Sequence, residues 1–350
     1  MRNERNTLPG SDFPALDHPG QDGVLCNIHA DGCAEGPRAV ESFGMQKAPI
    51  SRRHFALIAG SLAAAPRSPA QSAPPAPAQS APPAGATGLV NRILSELGGE
   101  SPANTADGFK AGDSSRPVKG IATTGMATMD VLTRAADAGT NLVITFEPTF
   151  FGRADGPSTG RGGGVAADDP VYKAKREFID SKGLIVYRLR DRWQSRRQDD
   201  MLTGLAQSLG WEKYRVKAED SLYDIPAATA EQVVANIRTR LNLRGGLRAV
   251  GDRAARVRRI LLLPGVMTTT TMWTRYADSD LIVTGEVREW ENTSFAADLF
   301  TAGEKHGLVT MGRVVSEDPG MRACSAWLKT VVKEVPVQFI GAGDPYWRAV

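Results

Sequence analysis

Four predicted strands of this sequence end in segments that carry a carboxylate. Each strand is a short run rich in Val, Ile and Leu, and an acidic residue follows it within a few positions. The carboxyl ends of parallel strands meet at one edge of a sheet, so side chains placed there can converge on a single cleft. Solvated loop carboxylates would produce the same pattern, but its repetition favours a site. The four carboxylates are Glu147, Asp191, Glu286 and Glu317.

Three arginines stand beside these carboxylates and limit the chemistry available to them. Arg190 and Arg192 flank Asp191, and Arg313 precedes Glu317 on the late segment. A guanidinium keeps its proton at any ordinary pH, so it repels a metal cation and pairs with carboxylates instead. Two chemistries stay open: a weak oxygen-ligand site for Mg²⁺ or Mn²⁺, or an anion-binding site formed by the arginines.

Histidine is scarce in this sequence. There are four, and the only one in the predicted folded body is His306, which excludes a multi-histidine zinc site there. The formal charge is +3, from 42 basic and 39 acidic residues. This balance does not indicate a nucleic-acid or membrane partner, and we predict no nucleic-acid partner.

Strands and helices alternate through the part of the chain that must position these side chains. Short aliphatic strands between amphipathic helices predict an α/β fold, with mostly parallel sheets covered by helices. In the less periodic middle section, the pattern predicts a strand over 213–217 and a helix over 229–241 that begins with Thr229 as its N-cap. The last predicted helix covers 319–332.

The pattern of the first 86 residues predicts an export signal followed by a linker. Residues 51–65 contain two arginines, a short uncharged stretch and small residues, which is typical of a twin-arginine signal. This stretch is too short for a permanent membrane span, which takes about twenty residues. We therefore predict an exported protein, periplasmic or extracellular, with a Pro/Ala linker over 66–86.

The position of this signal also bears on where the protein begins. Export signals normally start near the N-terminus, and Met45 precedes the two arginines by a normal distance. The signal is accordingly assigned to 45–65. Residues 1–44 are either a disordered extension or the result of a mis-assigned start.

The strand-end motifs resemble those of the Nif-three-like dinuclear metal-centre family, also known as type 2 GTP cyclohydrolase homologues. Segment 142–150 is similar to the first strand-end motif of the family. Segment 279–286 resembles the second-half motif, an apolar strand that ends in Thr-Gly-acid, and 312–317 resembles the late motif. Segment 186–211 covers the region that supplies further ligands. The resemblance runs from about residue 89 to 345.

The resemblance implies a two-lobed body over 87–350, with lobes at about 87–225 and 226–350. It also implies two divalent metal ions held between the lobes, hydrolase-type chemistry on an unsettled substrate, and a homo-oligomer, usually a toroidal hexamer. Carried over position by position, the matching ligand positions are Glu147, Asp191 and Glu317.

The histidines of the family are missing from this chain. They would fall at Phe146, Arg190, Arg192 and Arg313, none of which can ligate a metal. We therefore predict a lost or altered metal centre, in which any metal is weakly bound and the arginines pair with the three carboxylates. The alternative is a non-catalytic scaffold or anion-binding protein that holds a small anion with the three arginines. Whether the protein is an active metal-dependent hydrolase stays open.

Overall fold

A computed structural model gives the structure of the folded body. The extension, the export signal and nearly all of the linker lie outside the described residues. No helix among the described residues is long and apolar enough to cross a membrane. The structure describes residues 85–347, except 154, 158–163, 197–198 and 219.

The described residues form two five-stranded sheets. Their strands are β1 (Gly108–Ala111), β2 (Ile121–Thr124), β3 (Leu142–Thr145), β4 (Ile185–Arg188), β5 (Leu222–Thr229), β6 (Arg248–Val250), β7 (Arg256–Val266), β8 (Leu281–Glu286), β9 (Gly307–Thr310) and β10 (Val337–Phe339). The strand order is β1-β4-β3-β2-β10 in the first sheet and β5-β7-β8-β9-β6 in the second.

In both sheets, parallel strands form the centre and antiparallel strands lie at an edge. In the first sheet, β10, β2, β3 and β4 run parallel, and β1 pairs antiparallel with β4. In the second, β7, β8 and β9 run parallel between the antiparallel β5 and β6. The predicted α/β architecture with mostly parallel sheets is confirmed. Parallel neighbours need crossover connections, and helices provide most of them.

Most helices begin where a side chain can accept a backbone N–H. The helices are α1 (Ala86–Leu97), α2 (Met129–Asp137), α3 (Pro170–Ser181), α4 (Asp191–Gln194), α5 (Asp200–Leu209), α6 (Ala230–Leu241), α7 (Thr269–Arg275), α8 (Ser294–Thr301) and α9 (Arg313–Val331). Thr128, Asp169 and Asp199 cap α2, α3 and α5. Thr229 caps α6 as predicted and forms a capping box with Gln232.

Helices α5 and α9 lie between the two sheets. Met201 of α5 and Met321 of α9 pack with the first sheet, while Leu205 of α5 packs with the second. The two helices cross closely, because a Cβ on Gly204 would lie 2.6 Å from the carbonyl oxygen of Pro319. This packing holds α9, the helix that carries two of the predicted site residues, against both sheets.

Two local predictions were wrong. The predicted strand over 213–217 is a short 3₁₀ turn at Glu212–Tyr214, and the strand of this region is β5. The last helix begins at Arg313, directly after Gly312 with φ 97°, and not at 319. Pro319 lies inside α9, at the turn where α5 crosses this helix closely, and its missing N–H removes one intrahelical hydrogen bond.

The predicted division into lobes after residue 225 does not match the sheets. Strand β5 of the second sheet begins before it, at Leu222. Strand β10 comes from the C-terminal end of the chain and pairs with β2 in the first sheet. The chain therefore returns to the first sheet through α9, which connects β9 of the second sheet to β10 of the first.

Candidate functional site

A cleft of about 1440 Å³ opens at the carboxyl ends of the central strands of both sheets. From the first sheet, Glu147 follows β3 and Arg190 follows β4. From the second sheet, Glu286 ends β8 and Arg313 begins the helix after β9. This edge is where parallel sheets place their sites, so the strand-end residues meet where the sequence predicts.

Glu147 is the centre of a charged cluster in this cleft. Its side chain is 5% exposed, and its Oε1 accepts hydrogen bonds from Arg190 and, at 2.8 Å, from Nη2 of Arg313. The Arg190 guanidinium also lies over the Phe146 ring, 4.7 Å from its centroid. One carboxylate therefore joins a cation from the first sheet to a cation from the start of α9.

Glu317 lies beside this cluster on α9 and is 2% exposed. Its Oε1 is 3.5 Å from Nε of Arg313, and its Oε2 has no hydrogen-bond partner among the described residues. Burial first, and then the charge of Glu147, raise the pKa of Glu317 well above its usual value, against the opposite effect of Arg313 and Arg190. The cluster therefore favours the protonated, neutral form of Glu317.

Because Gly265 has no side chain, the carboxyl group of Glu317 can lie against it. Gly265 has φ 75°, in the left-handed region, and a Cβ there would lie 2.8 Å from Oε1 of Glu317. The Gly265 N–H also donates to Oγ of Ser316 at 2.8 Å. A side chain at residue 265 would strain the backbone and displace the carboxyl group.

Asp191 lines the cleft but is engaged with the chain before β1. Its Oδ2 accepts hydrogen bonds from the Ala106 N–H at 2.6 Å and from Oγ1 of Thr105 at 3.0 Å. The structure gives Asp191 no ion pair with the neighbouring arginines, so the predicted pairing of all three carboxylates with arginine is wrong for this residue. Its role here is to hold the 104–106 segment against α4.

Arg192 lies outside the cleft. Its guanidinium donates to the carbonyl oxygens of Leu94, Gly98 and Gly99 at the end of α1. A cation at the C-terminus of a helix complements the helix dipole and the free carbonyl groups. The predicted anion site therefore does not include Arg192, which α4 turns away from the carboxylates.

Asp107, which sequence reasoning missed, fixes the turn that carries these arginines. Its carboxylate accepts the backbone N–H groups of Arg190 at 2.6 Å, Asp191 at 2.9 Å and Arg192 at 3.1 Å. A carboxylate at these N–H groups holds the first turn of α4. It acts from far away in the sequence, so no local spacing could identify it.

Lys110 and Arg188, two of the further cations that line the cleft, were also missed. Arg188 is 3% exposed, and its Nε and Nη1 donate to the carbonyl oxygens of Phe146 at 3.1 Å and Arg153 at 3.2 Å. Lys110 of β1 lines the same cleft. Within the described part of the chain, neither forms an ion pair with a carboxylate inside 4.0 Å. A basic residue at the end of an otherwise apolar strand was the available signal for Arg188.

The residues present do not fit a dinuclear metal centre. Two guanidinium groups take the Oε1 of Glu147, Asp191 is bound to Thr105 and Ala106, and Glu317 favours its neutral form. A divalent cation at Glu147 would lie beside two permanent positive charges. Across the described ranges, no group of three or more His, Cys, Asp and Glu side chains could hold a metal ion.

Comparison with known proteins finds similarity in structure. No family model and no curated protein matches the chain in sequence. A Bacillus cereus protein related to NIF3 superposes with a TM-score of 0.58 at 13% identity, covering 77% of this chain and 100% of that one. The Staphylococcus aureus protein SA1388 gives 0.58 at 12% identity, covering 77% and 100%. The protein ybgI, of unknown function, gives 0.54 at 18% identity, covering 75% and 100%.

Proposed function

Because this chain has the NIF3-like fold but a cleft unsuited to two metal ions, we propose that it binds a small anionic ligand in the cleft between its sheets. The ligand carries a phosphate or carboxylate group. The observation that carries the proposal is an excess of cations over paired carboxylates: Arg190 and Arg313 share Glu147, while Lys110 and Arg188 have no ion pair within the described part of the chain.

Charge in the cleft supports this proposal. Two guanidinium groups meet one carboxyl group, Glu147, and burial raises the pKa of the neighbouring Glu317. Arg188 and Lys110 add positive charge to the same cleft. Over the whole lining, six basic side chains face five acidic ones, so the excess of positive charge is small and lies at these cations. Local positive charge in a cleft with low-dielectric walls attracts anions and repels divalent cations. Guanidinium groups also match the geometry of phosphate and carboxylate oxygens.

Metal analysis and ligand-induced stabilisation together test the proposal. We expect the purified protein to hold much less than one metal ion per chain. Its melting temperature is expected to rise with inorganic phosphate, relative to chloride at equal ionic strength, because a ligand that binds only the folded state stabilises it. Stoichiometric zinc, iron or manganese, or equal melting temperatures in phosphate and chloride, would contradict the proposal.

A metal-dependent hydrolase with an altered centre is the second candidate. It is favoured by the free Oε2 of Glu317, a buried carboxyl oxygen without a partner among the described residues, close to Glu147. In this candidate, Glu317 would ionise and hold a divalent cation together with Glu147. Phosphoester hydrolysis that requires added Mn²⁺ and disappears in Glu317→Gln would favour it over simple anion binding.

We also propose that the chain is exported and forms a homo-oligomer. The twin-arginine pattern over 51–65 and the Pro/Ala linker over 66–86 support export. The likeness in fold to NIF3-like proteins suggests self-association. A mature mass that still includes residues 45–65 would contradict export, and light scattering at the mass of a monomer would contradict assembly.

A further inference from the structure

We propose that Lys110 and Arg188 bind a phosphate group of the ligand, while Arg190 and Arg313 remain bound to Glu147. This inference rests on the anion-binding function proposed above and gives it a binding subsite. The ligand class is a small phosphate ester, whose charge of about −1.5 to −2 at neutral pH matches two cations.

Arg188 supplies a buried and oriented guanidinium. The side chain is almost fully buried, yet its hydrogen-bond partners are two backbone carbonyl oxygens, from Phe146 and Arg153. Carbonyl groups fix the direction of a guanidinium without cancelling its charge. Asp155, Glu147 and Asp191 act on this charge from a distance, and none of them pairs with it within 4.0 Å. A buried charge without a paired counter-ion is costly, so its retention in a cleft wall points to a negatively charged ligand.

Lys110 reaches the same cleft from an irregular position of β1. Phe109 pairs with Tyr187 and Ala111 with Val186, so Lys110 is the extra residue of a β-bulge. Bulges redirect a side chain locally and are common beside functional sites. Burial lowers the pKa of Lys110, with Asp155 acting in the opposite direction. The lysine is thus partly desolvated and has no ion pair within the described residues.

The acidic groups near Lys110 and Arg188 leave room for a ligand. Asp155 uses its Oδ1 to accept the Phe150 N–H at 2.8 Å, and burial raises its pKa. The cleft-lining Asp191 is bound to the 104–106 segment. Neither carboxylate approaches the two cations within 4.0 Å. A phosphate placed between Lys110 and Arg188 would therefore provide the missing counter-charge.

The two cations bound to Glu147 are poor candidates for this role. Arg190 and Arg313 already donate to Oε1 of Glu147. A phosphate bound directly between them would have to displace a buried carboxylate or lie against it, and like charges in contact repel strongly. These arginines therefore shape the cleft, and Lys110 and Arg188 contact the anion.

Calorimetric titration with inorganic phosphate tests the subsite. The proteins compared are the wild type, Lys110→Met, Arg188→Gln, Arg313→Gln and, as a matched exposed control, Arg253→Gln. We expect Lys110→Met and Arg188→Gln each to weaken phosphate binding roughly tenfold to a hundredfold, since each removes a charge-assisted hydrogen bond. Arg253→Gln should leave the affinity unchanged, and Arg313→Gln should alter it by less than about threefold.

Lys110→Met is the decisive variant, because Arg188→Gln also removes two hydrogen bonds to the neighbouring loop. Without phosphate, Lys110→Met should melt at a higher temperature than the wild type, since it removes a poorly compensated charge. Wild-type affinity in Lys110→Met together with a loss in Arg313→Gln would overturn the subsite and leave the anion-binding function standing. A wild type that binds no phosphate would overturn the function itself.

Discussion

The cations of the cleft fall into two groups that differ in what holds them. Arg190 and Arg313 are bound to a carboxylate, Glu147, whereas Arg188 is bound to backbone carbonyl oxygens. A carboxylate neutralises a guanidinium, but a carbonyl group mainly orients it. The first group therefore joins the two halves of the fold, whereas the charge of Arg188 has no paired carboxylate within the described residues. Counting basic residues around a cleft does not distinguish these roles.

The same distinction extends beyond the cleft. Lys175 of α3 is 2% exposed, donates to the carbonyl oxygen of Thr149 and lies 5.0 Å from the centroid of the Phe151 ring. Arg192 donates to carbonyl oxygens at the end of α1. These cations, which are held by carbonyl groups, differ in how deeply they are buried. Substituting each of them therefore tests separately what its charge contributes to stability or to binding.

Glu147→Gln should have the largest effect. The variant keeps the shape of the side chain but leaves two guanidinium groups around a neutral amide. We expect a loss of about 3 kcal/mol in the free energy of unfolding, as for other broken buried ion pairs. Chemical denaturation measures it. Asp130→Asn, which breaks the exposed pair with Arg134, is the control and should cost less than about 1 kcal/mol. Equal losses in both variants would show that Glu147 is not a structural counter-ion.

Lys175 should reveal its buried charge through the pH dependence of stability. Burial lowers the pKa of Lys175 to about 8, below its ordinary value of 10.5, so the unfolded chain binds the proton more tightly than the folded one. Between pH 8 and 10, the wild type should therefore gain stability relative to Lys175→Met, by on the order of 2 kcal/mol. Denaturation at several pH values measures this, with Lys173→Met on the same helix as the control. A difference in the free energy of unfolding between the wild type and Lys175→Met that does not change with pH would contradict a buried, protonated Lys175.

Arg192→Gln should have a smaller effect, confined to stability. The substitution removes charged hydrogen bonds to the end of α1, so we expect a loss of about 1 to 2 kcal/mol, measured by thermal unfolding. Phosphate affinity should not change, because Arg192 does not line the cleft. If Arg192→Gln bound phosphate more weakly than the wild type, Arg192 would contribute to the anion site, contrary to its position outside the cleft.

Glu317→Gln should have the smallest effect. Because Glu317 favours its neutral form in the folded protein, an amide replaces it closely. At pH 7 we expect the free energy of unfolding to stay within about 1 kcal/mol of the wild type or to rise. A raised pKa means that the wild type loses stability as the pH rises above the ordinary value of 4.5, so any advantage of Glu317→Gln should shrink towards that pH. A loss as large as that of Glu147→Gln would indicate an ionised Glu317.

Local sequence signals predicted the elements whose ends are set by nearby residues. Helix α6 begins directly after the predicted cap, Thr229, and ends at the predicted residue, Leu241, because capping depends on residues a few positions apart. The short edge strands β1 and β6 were not predicted, since their pairing partners are distant in the chain. The start of α9 was placed too late because proline is common at the first position of a helix, whereas Pro319 lies inside α9.

The sequence by itself determined which chemical groups are available. Four charged residues stand near the ends of strands: Glu147, Arg190, Arg313 and Glu317. The histidines that a dinuclear centre would need are absent from this part of the sequence. These properties follow from residue type and from the period of the strands alone.

Only the tertiary structure decided which cation meets which counter-charge. Glu147 and Arg313 are 166 residues apart, and the packing of α9 between the two sheets brings them together. A bulge in β1 directs Lys110 into the cleft, and the turn of α4 directs Arg192 out of it. Ion pairing depends on distance and burial, and both are set by contacts between segments that are remote in sequence.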